Sequence, residues 1–230
     1  MTRPRTRFGL TAAILESGLM PNFATDDIEV AKGIAQACAD GGCTLLEFLN
    51  RGVGAPAAFG ALAPWMREHT PNVLLGAGTV LDGPTAAQFI HVGAAFIVAP
   101  NLNPDVAKVC NRLAIPYIPG CGTATEISNA MEMGVDIVKF FPAPFLGGPA
   151  AVKALLGPFP QAMFMPSGGV EVDEASLRAW FGAGVAAVSV GGSVLAPDLI
   201  AARDWPALAD RIRKAVDLVA TIRGDWRRGL

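Results

Sequence analysis

Short apolar runs recur along the chain at intervals of roughly 21 to 29 residues, and each is followed by a loop and a helix-compatible stretch. The runs are continuously apolar instead of alternating, which is typical of parallel strands covered on both faces. Their spacing accommodates a strand plus a crossover helix. The runs are centred near Met20, Leu46, Leu75, Phe96, Tyr117, Val138, Phe164 and Val188. The pattern therefore predicts eight βα units.

Helix-start signals lie between these runs. Residues that can cap or open a helix are Asp26, Asp82, Thr123, Asp173 and Asp204. Eight βα units most often close into a (β/α)8 TIM barrel of the α/β class, whose active site lies at the carboxyl ends of the strands. An open doubly wound sheet is the alternative, but the first unit lacks a GxGxxG fingerprint. We expect one barrel domain over residues 11–230 after an N-terminal tail, residues 1–10.

Composition narrows the function classes. The 230 residues are 52% hydrophobic, which suits one globular domain, and the net charge of -2 provides no basic stripe for nucleic acid or a membrane surface. No apolar stretch is long enough to span a bilayer. The four cysteines form no CxxC pair and the two histidines fall on helices, so we expect no metal site and reduced thiols, as in a cytoplasmic protein.

One lysine interrupts an apolar run. In Ile137-Val138-Lys139-Phe140-Phe141, alternation places Ile137, Lys139 and Phe141 on one face. Burial disfavours the charged form of an amine, and a neutral amine can attack a carbonyl carbon. A lysine near a strand end can instead extend its amine to water. Lys139 is nevertheless the best candidate for a catalytic group.

A second strand carries two opposite charges. Alternation along Thr44 to Gly52 places Glu47, Leu49 and Arg51 on one side. An extended chain would hold Glu47 and Arg51 about 13 Å apart, so they can serve different parts of one ligand. A partly buried ion pair between them is the structural alternative.

Small residues follow the last two strands. Ser167-Gly168-Gly169 ends the seventh run, and Gly191-Gly192-Ser193 ends the eighth. In eight-stranded barrels the backbone N–H groups of these two loops commonly cradle a phosphate, and serine hydroxyls can add donors. Each Gly-Gly pair alone could be an ordinary turn, but together they predict a phosphate site.

These segments resemble the 2-keto-3-deoxy-6-phosphogluconate and 4-hydroxy-2-oxoglutarate aldolase family. The resemblance spans roughly residues 10 to 200 and is carried by the motifs Glu47-x-x-x-Arg51, Gly76-Ala77-Gly78-Thr79-Val80, Val138-Lys139-Phe140-Phe141-Pro142, Pro166-Ser167-Gly168-Gly169-Val170 and Gly191-Gly192-Ser193. It implies a class I aldolase on a (β/α)8 barrel, without a metal or cofactor, acting on a small-molecule 2-oxo acid. The resemblance also implies a homotrimer.

The resemblance assigns roles to individual residues. It implies that Lys139 forms the Schiff base and that Glu47 moves protons. The residues that it implies for substrate binding are Arg51 and Thr79 at the carboxylate, Pro100 and Phe141 along the pocket, and Ser167, Gly168, Gly169, Gly192 and Ser193 around the phosphate. The chain departs from the family pattern at Asn22, where an aliphatic residue is commoner, and at Leu49, where threonine is frequent.

Three functions are compatible with these residues. The leading hypothesis is cleavage of a phosphorylated 2-keto-3-deoxy sugar acid to pyruvate and an aldehyde. A second is the same chemistry on 4-hydroxy-2-oxoglutarate or an unphosphorylated sugar acid. The third, of another class, is a phosphate-binding barrel isomerase or binding protein in which Lys139 only pairs with Glu47.

Overall fold

The strands of the computed structural model, which describes residues 6–224, follow the predicted apolar runs. Seven of the eight predicted centres lie inside strands, and Phe96 immediately precedes one. The strands are Leu19–Phe23 (β1), Leu45–Leu49 (β2), Leu74–Gly78 (β3), Ile97–Val98 (β4), Tyr117–Ile118 (β5), Gly120–Cys121 (β6), Ile137–Phe140 (β7), Met163–Pro166 (β8) and Val188–Val190 (β9). The predicted strand pattern is therefore confirmed.

Helices alternate with these strands, as crossover connections between parallel strands require. The α-helices are Arg7–Ser17 (α1), Ile28–Asp40 (α2), Ala55–His69 (α3), Gly83–Val92 (α4), Pro104–Leu113 (α5), Ala124–Glu132 (α6), Gly148–Leu156 (α7), Glu174–Gly182 (α8), Pro197–Ala201 (α9) and Trp205–Arg223 (α10). A 3-10 helix, Ala143–Leu146, precedes α7. No α-helix in the described residues combines the length and apolar composition that crossing a membrane requires.

The strands form a curled, parallel arrangement in two groups. Six strands pair in the order β5-β4-β3-β2-β1-β9, and three pair in the order β6-β7-β8. Pro119 separates β5 from β6, because proline has no N–H to donate. The Pro119 carbonyl nevertheless accepts a hydrogen bond from the Lys139 N–H of β7 at 2.8 Å. At the other junction, Ser167 and Ser189 form an isolated parallel bridge. The α/β class is confirmed, with a curled parallel sheet.

The two faces of the strands bury two separate apolar clusters. One cluster fills the space between strands and helices and includes Phe48, Val138 and Phe164. The other, which we call the inner cluster, takes alternate residues of the strands together with residues of α1. Its strand members are Met20, Leu45, Leu74, Val98, Ile118, Ile137 and Met165. Period-two alternation thus divides each strand between the helical layer and the interior.

The prediction of a tail over residues 1–10 is wrong for residues 7–10, which form the first turn of α1. Thr6 caps this helix by accepting from the Gly9 N–H at 3.2 Å. Leu10 and Ile14 lie in the inner cluster, so α1 covers the amino ends of the strands. Burial of these two apolar side chains stabilises the helix. Residues 1–5 lie outside the described residues.

The helix caps agree with the sequence at four of the five predicted starts. Asp82, Thr123, Asp173 and Asp204 are N-caps whose side chains accept backbone hydrogen bonds. The fifth prediction is displaced by one residue, because Asp27 accepts from the first-turn N–H groups of α2 in place of Asp26. Short polar side chains before apolar stretches are therefore reliable markers here.

Candidate active site

A polar layer lies directly beyond the inner cluster, toward the carboxyl ends of the strands. Each member follows an inner apolar position of its strand by two residues, and alternation therefore points it inward. The layer consists of Asn22, Glu47, Lys139, Ser167 and Ser189. Glu47, Lys139, Ser167 and Ser189 are buried, and Asn22 is half-buried. Buried polar groups rarely collect without a function.

Lys139 lies on β7 with only 6% of its surface exposed. Its Nζ is 5.1 Å from the centre of the Phe141 ring, which shares its strand face. Gly120 is its register partner on β6, so no side chain crowds the lysine from that neighbour. The predicted burial of this amine is confirmed, and the amine faces the interior of the strand layer.

Glu47 lies on β2 and is fully buried. Its Oε2 accepts a hydrogen bond from the Ser189 hydroxyl at 3.2 Å. Its Oε1 is 3.9 Å from Lys139 Nζ, which is ion-pair range but longer than a hydrogen bond. An added Cβ on Gly78 would lie 2.1 Å from this oxygen, so glycine is required there to admit the carboxylate. Glu47 therefore faces Lys139 across the interior.

Arg51 lies beyond the end of β2 and is exposed. Its Nε donates to the Thr79 hydroxyl at 3.3 Å. Thr79 has a φ of 57°, in the left-handed region that β-branched residues avoid. Such strain is often found at functional sites. The predicted alternative of an ion pair between Glu47 and Arg51 is not what the structure contains, because Glu47 instead faces Lys139.

The fourth and fifth strands bring backbone close to the lysine. Pro100 follows β4 and is half-buried. An added Cβ on Gly120 would lie 2.0 Å from the Pro100 carbonyl oxygen. Because Gly120 pairs in register with Lys139, Pro100 packs against the strand next to the lysine. The residues that the two strands contribute here, Pro100 and Gly120, carry no charge.

The two glycine-rich loops meet at the same end of the strands. Gly168 and Gly169 are exposed, with φ values of 76° and 89°. The Ser193 hydroxyl donates to the Val170 carbonyl at 3.4 Å, which joins the loop after β9 to the loop after β8. An added Cβ on Gly168 would lie 3.0 Å from the Phe141 ring. The loops therefore adjoin the lysine pocket.

The remaining predicted loop residues differ in exposure. Gly192 is exposed and Ser193 is half-buried, whereas Ser167 is 4% exposed and takes part in the bridge with Ser189. The carbonyl of Ser193 accepts two hydrogen bonds from Arg211 of α10, at 3.2 and 2.7 Å. Of the eleven residues predicted for the site, Glu47 and Lys139 thus lie within strands, and the other nine follow the carboxyl ends of strands.

Other reactive side chains are poor alternatives to the lysine. Burial, and to a smaller extent the nearby Glu126 carboxylate, raises the pKa of the Cys121 thiol to about 12, so this thiol stays protonated. His69 and His91 are exposed on helices, as predicted. Within residues 6–224, no group of three or more His, Cys, Asp or Glu side chains is placed to hold a metal ion. Lys139 is the buried nucleophile that faces an acidic partner.

Sequence reasoning missed two members of the polar layer. Ser189 was not predicted as a site residue, and Asn22 was noted only as an unusual polar residue in the first strand. The signal was available in the alternation, because Asn22 lies two residues after Met20 and Ser189 lies between two valines. Their convergence on Glu47 needed the strand order, in which β1 lies between β9 and β2.

Comparisons with known proteins show that this chain is similar to aldolases. The family model described as KDPG and KHG aldolase matches residues 10–211. The chain is 35% identical over 205 residues to the 2-dehydro-3-deoxy-phosphogluconate aldolase of Treponema pallidum, covering 89% of this chain and 94% of that protein. It is 34% identical over 207 residues to the KHG/KDPG aldolase of Escherichia coli K12, with the same coverage of 89% and 94%.

A solved structure extends the comparison to three dimensions. It is a KDPG aldolase from Legionella pneumophila, 28% identical, with a TM-score of 0.81 over 90% of this chain and 97% of that chain. Its crystals hold pyruvate captured at low pH as a covalent carbinolamine intermediate.

Proposed function

The chain belongs to the KDPG and KHG aldolase family, and we propose that it is a class I aldolase that cleaves 2-keto-3-deoxy-6-phosphogluconate to pyruvate and glyceraldehyde 3-phosphate. The single observation that carries the proposal is the buried Lys139 amine facing the buried Glu47 carboxylate at 3.9 Å. A nucleophile and a proton acceptor thereby share one desolvated pocket.

Lys139 supplies the covalent step. Its Nζ adds to the C2 ketone to form a carbinolamine, and loss of water gives an iminium ion that withdraws electrons from the C3–C4 bond. The Legionella relative holds pyruvate as a carbinolamine, which is the adduct that an amine forms with a ketone. The burial of the Lys139 amine supports assigning the same adduct to it.

Glu47 supplies the proton transfer. As a carboxylate, it takes the proton of the C4 hydroxyl while the C3–C4 bond breaks, which releases the aldehyde and leaves an enamine of pyruvate on Lys139. Protonation of the enamine at C3 restores the iminium ion, and water then releases pyruvate and the free amine. Glu47 Oε1, which faces the amine, is the oxygen placed for this transfer.

The two ends of the substrate have separate binding groups. Arg51, held by Thr79, is placed to bind the carboxylate, since a guanidinium matches that group. Pro100 and Phe141 line the intervening pocket. The phosphate is assigned to the loops after β8 and β9, through the residues Ser167, Gly168, Gly169, Gly192 and Ser193. The contact between these loops supports a shared anion site.

We further infer that the described residues, from α1 onward, form one domain with a closed (β/α)8 barrel. The bridge between Ser167 and Ser189, and the 2.8 Å hydrogen bond from the Ala186 N–H to the Phe164 carbonyl, support closure between β8 and β9. The short interruption at Pro119 supports continuity between β5 and β6. A homotrimer is proposed from the family resemblance alone, and a cytoplasmic location is proposed from the free, buried cysteines.

A pyruvate-release assay tests the activity. Purified protein should release pyruvate from 2-keto-3-deoxy-6-phosphogluconate. Lys139→Met should abolish release because the nucleophile is lost, whereas Lys153→Met, an exposed lysine on α7, should leave the rate unchanged. Glu47→Gln should lower kcat by roughly 100- to 10,000-fold. Wild-type protein that binds the substrate without releasing pyruvate would support the noncovalent isomerase or binding function instead.

The family description also names KHG, which is 4-hydroxy-2-oxoglutarate, the unphosphorylated alternative substrate. The role of the substrate phosphate therefore requires its own test. The double variant Ser167→Ala, Ser193→Ala should raise KM for the phosphorylated substrate at least about tenfold, because charge-assisted hydrogen bonds are lost. KM for 4-hydroxy-2-oxoglutarate should change little. Equal effects on both substrates would contradict the phosphate assignment and favour an unphosphorylated natural substrate.

A further inference from the structure

Three side chains on adjacent strands form a chain of hydrogen bonds that ends at the candidate catalytic carboxylate. Asn22 Nδ2 of β1 donates to Ser189 Oγ of β9 at 3.0 Å. Ser189 Oγ then donates to Glu47 Oε2 of β2 at 3.2 Å. Asn22 is also the register partner of Glu47. We call this arrangement the Asn22–Ser189–Glu47 chain.

The carboxylate is asymmetric in its partners. Glu47 and Ser189 are both fully buried, so neither group is exposed to bulk solvent. Oε2 is satisfied by Ser189, whereas Oε1 has no hydrogen-bond partner among the described residues. Leaving a buried acceptor unpaired is costly, and native proteins seldom do so without a reason. The unpaired oxygen is the one that faces Lys139.

The direction of the chain is fixed by chemistry. An ionised carboxylate only accepts hydrogen bonds, so the single hydroxyl hydrogen of Ser189 must point to Glu47. Ser189 can then only accept from its other neighbour, which requires the amide nitrogen of Asn22 to face it. Without the Asn22 amide, the Ser189 hydroxyl would rotate more freely about its Cβ–Oγ bond. Asn22 therefore orients Ser189, and Ser189 fixes Oε2.

We propose that Asn22 and Ser189 are positioning residues that hold one oxygen of Glu47 and thereby present the other to the substrate bound on Lys139. Neither residue needs to touch the reacting atoms. This inference rests on the proposed function, because it assigns the presented oxygen to proton transfer. A carboxylate free to rotate would spend less time in the reactive geometry, which lowers kcat more than it affects binding.

The test separates the chemical step from binding and from Schiff-base formation. Ser189→Ala should lower kcat of cleavage by roughly 10- to 100-fold, with KM within about threefold of wild type. Trapping of pyruvate on Lys139 by borohydride should proceed at the wild-type rate. The matched control is Ser17→Ala, which removes a hydroxyl that donates to the Leu19 carbonyl at 2.9 Å at the amino end of the strands. It should leave kcat unchanged.

A second variant tests whether Asn22 acts on Glu47 through Ser189. Asn22→Leu should also lower kcat, but by less than Ser189→Ala does, since Ser189 can still reach Glu47. Because Asn22 acts through Ser189, the double variant should equal Ser189→Ala alone. Should Ser189→Ala fail to fold, Asn22→Leu, at a half-buried position, still decides the matter through its kcat and KM.

Three results would overturn the inference. They are an unchanged kcat in both single variants, a loss confined to KM, or additive losses in the double variant. Failure of wild type to trap pyruvate at all would instead refute the proposed function. The two failures are therefore distinguishable.

Discussion

Single residues explain why part of the site could be predicted from sequence. Lys139 was predictable because apolar neighbours occupy both faces of its strand, so either orientation buries it. Glu47 was predictable as an inward residue, but its pairing with Lys139 was expected only under the hypothesis of an isomerase or binding protein, because the lysine lies on a distant strand. Arg51 did not follow the predicted alternation, since β2 ends at Leu49 and the arginine lies in the loop.

Thr79 offers a test of strain at the residue scale. Thr79→Gly relieves the positive φ, whereas Thr79→Ala keeps it, and both remove the hydroxyl that accepts from Arg51. We expect Thr79→Gly to be about 1 kcal/mol more stable than Thr79→Ala in thermal denaturation. Both should raise KM about tenfold, because Arg51 loses its partner. Lower stability of the glycine variant would contradict the strain assignment.

Elements were predicted well where their signals are local. The apolar runs identify the strands and the capping residues identify helix starts, because both depend on neighbours in sequence. Helix α1 was missed, since its first turn contains Arg7 and Gly9 and resembles a polar tail. Its stability comes from Leu10 and Ile14 in the inner cluster, which is a tertiary contact.

The capping box of α6 gives a pH-dependent prediction. Glu126 accepts from the Gly122 and Thr123 N–H groups at 2.9 and 3.0 Å, and these hydrogen bonds, that of Gly122 first, lower the pKa of its carboxyl. The ionised form therefore favours the folded state above the unfolded pKa of about 4.3, and this contribution is lost as pH falls through the lower folded value.

Denaturant unfolding of Glu126→Gln at several pH values measures this effect. Wild type should be more stable than Glu126→Gln at pH 7, and the difference should shrink below about pH 4. Thr123→Ala, which removes the capping hydroxyl, should cost roughly 0.5 to 2 kcal/mol. A wild-type advantage that grows in acid would contradict the assignment.

The whole molecule determines what no local pattern could predict. Ser189 and Glu47 are 142 residues apart in sequence, and they meet because β9 pairs with β1 and β1 pairs with β2. The isolated bridge between Ser167 and Ser189 brings the loops after β8 and β9 together. The candidate residues Lys139 and Glu47 could therefore be predicted from the sequence, but the hydrogen bonds that join Asn22, Ser189 and Glu47 could not.

The inner cluster provides a stability test at this scale. Ile14→Ala should destabilise the protein by roughly 2 to 5 kcal/mol, because Ile14 is fully buried and its loss leaves a cavity between α1 and the strands. Phe8→Ala on the same helix should change stability by less than about 0.5 kcal/mol, since Phe8 is 85% exposed. Chemical denaturation measures both. Equal effects would mean that α1 does not close the strand ends.

Reductive trapping is the most direct test of the lysine chemistry. Protein incubated with pyruvate and borohydride, digested and analysed by mass spectrometry should carry one reduced pyruvyl group on the peptide that contains Lys139, with the Lys153 peptide unmodified. Active protein with an unmodified Lys139 peptide, or with the group on another lysine, would contradict the account.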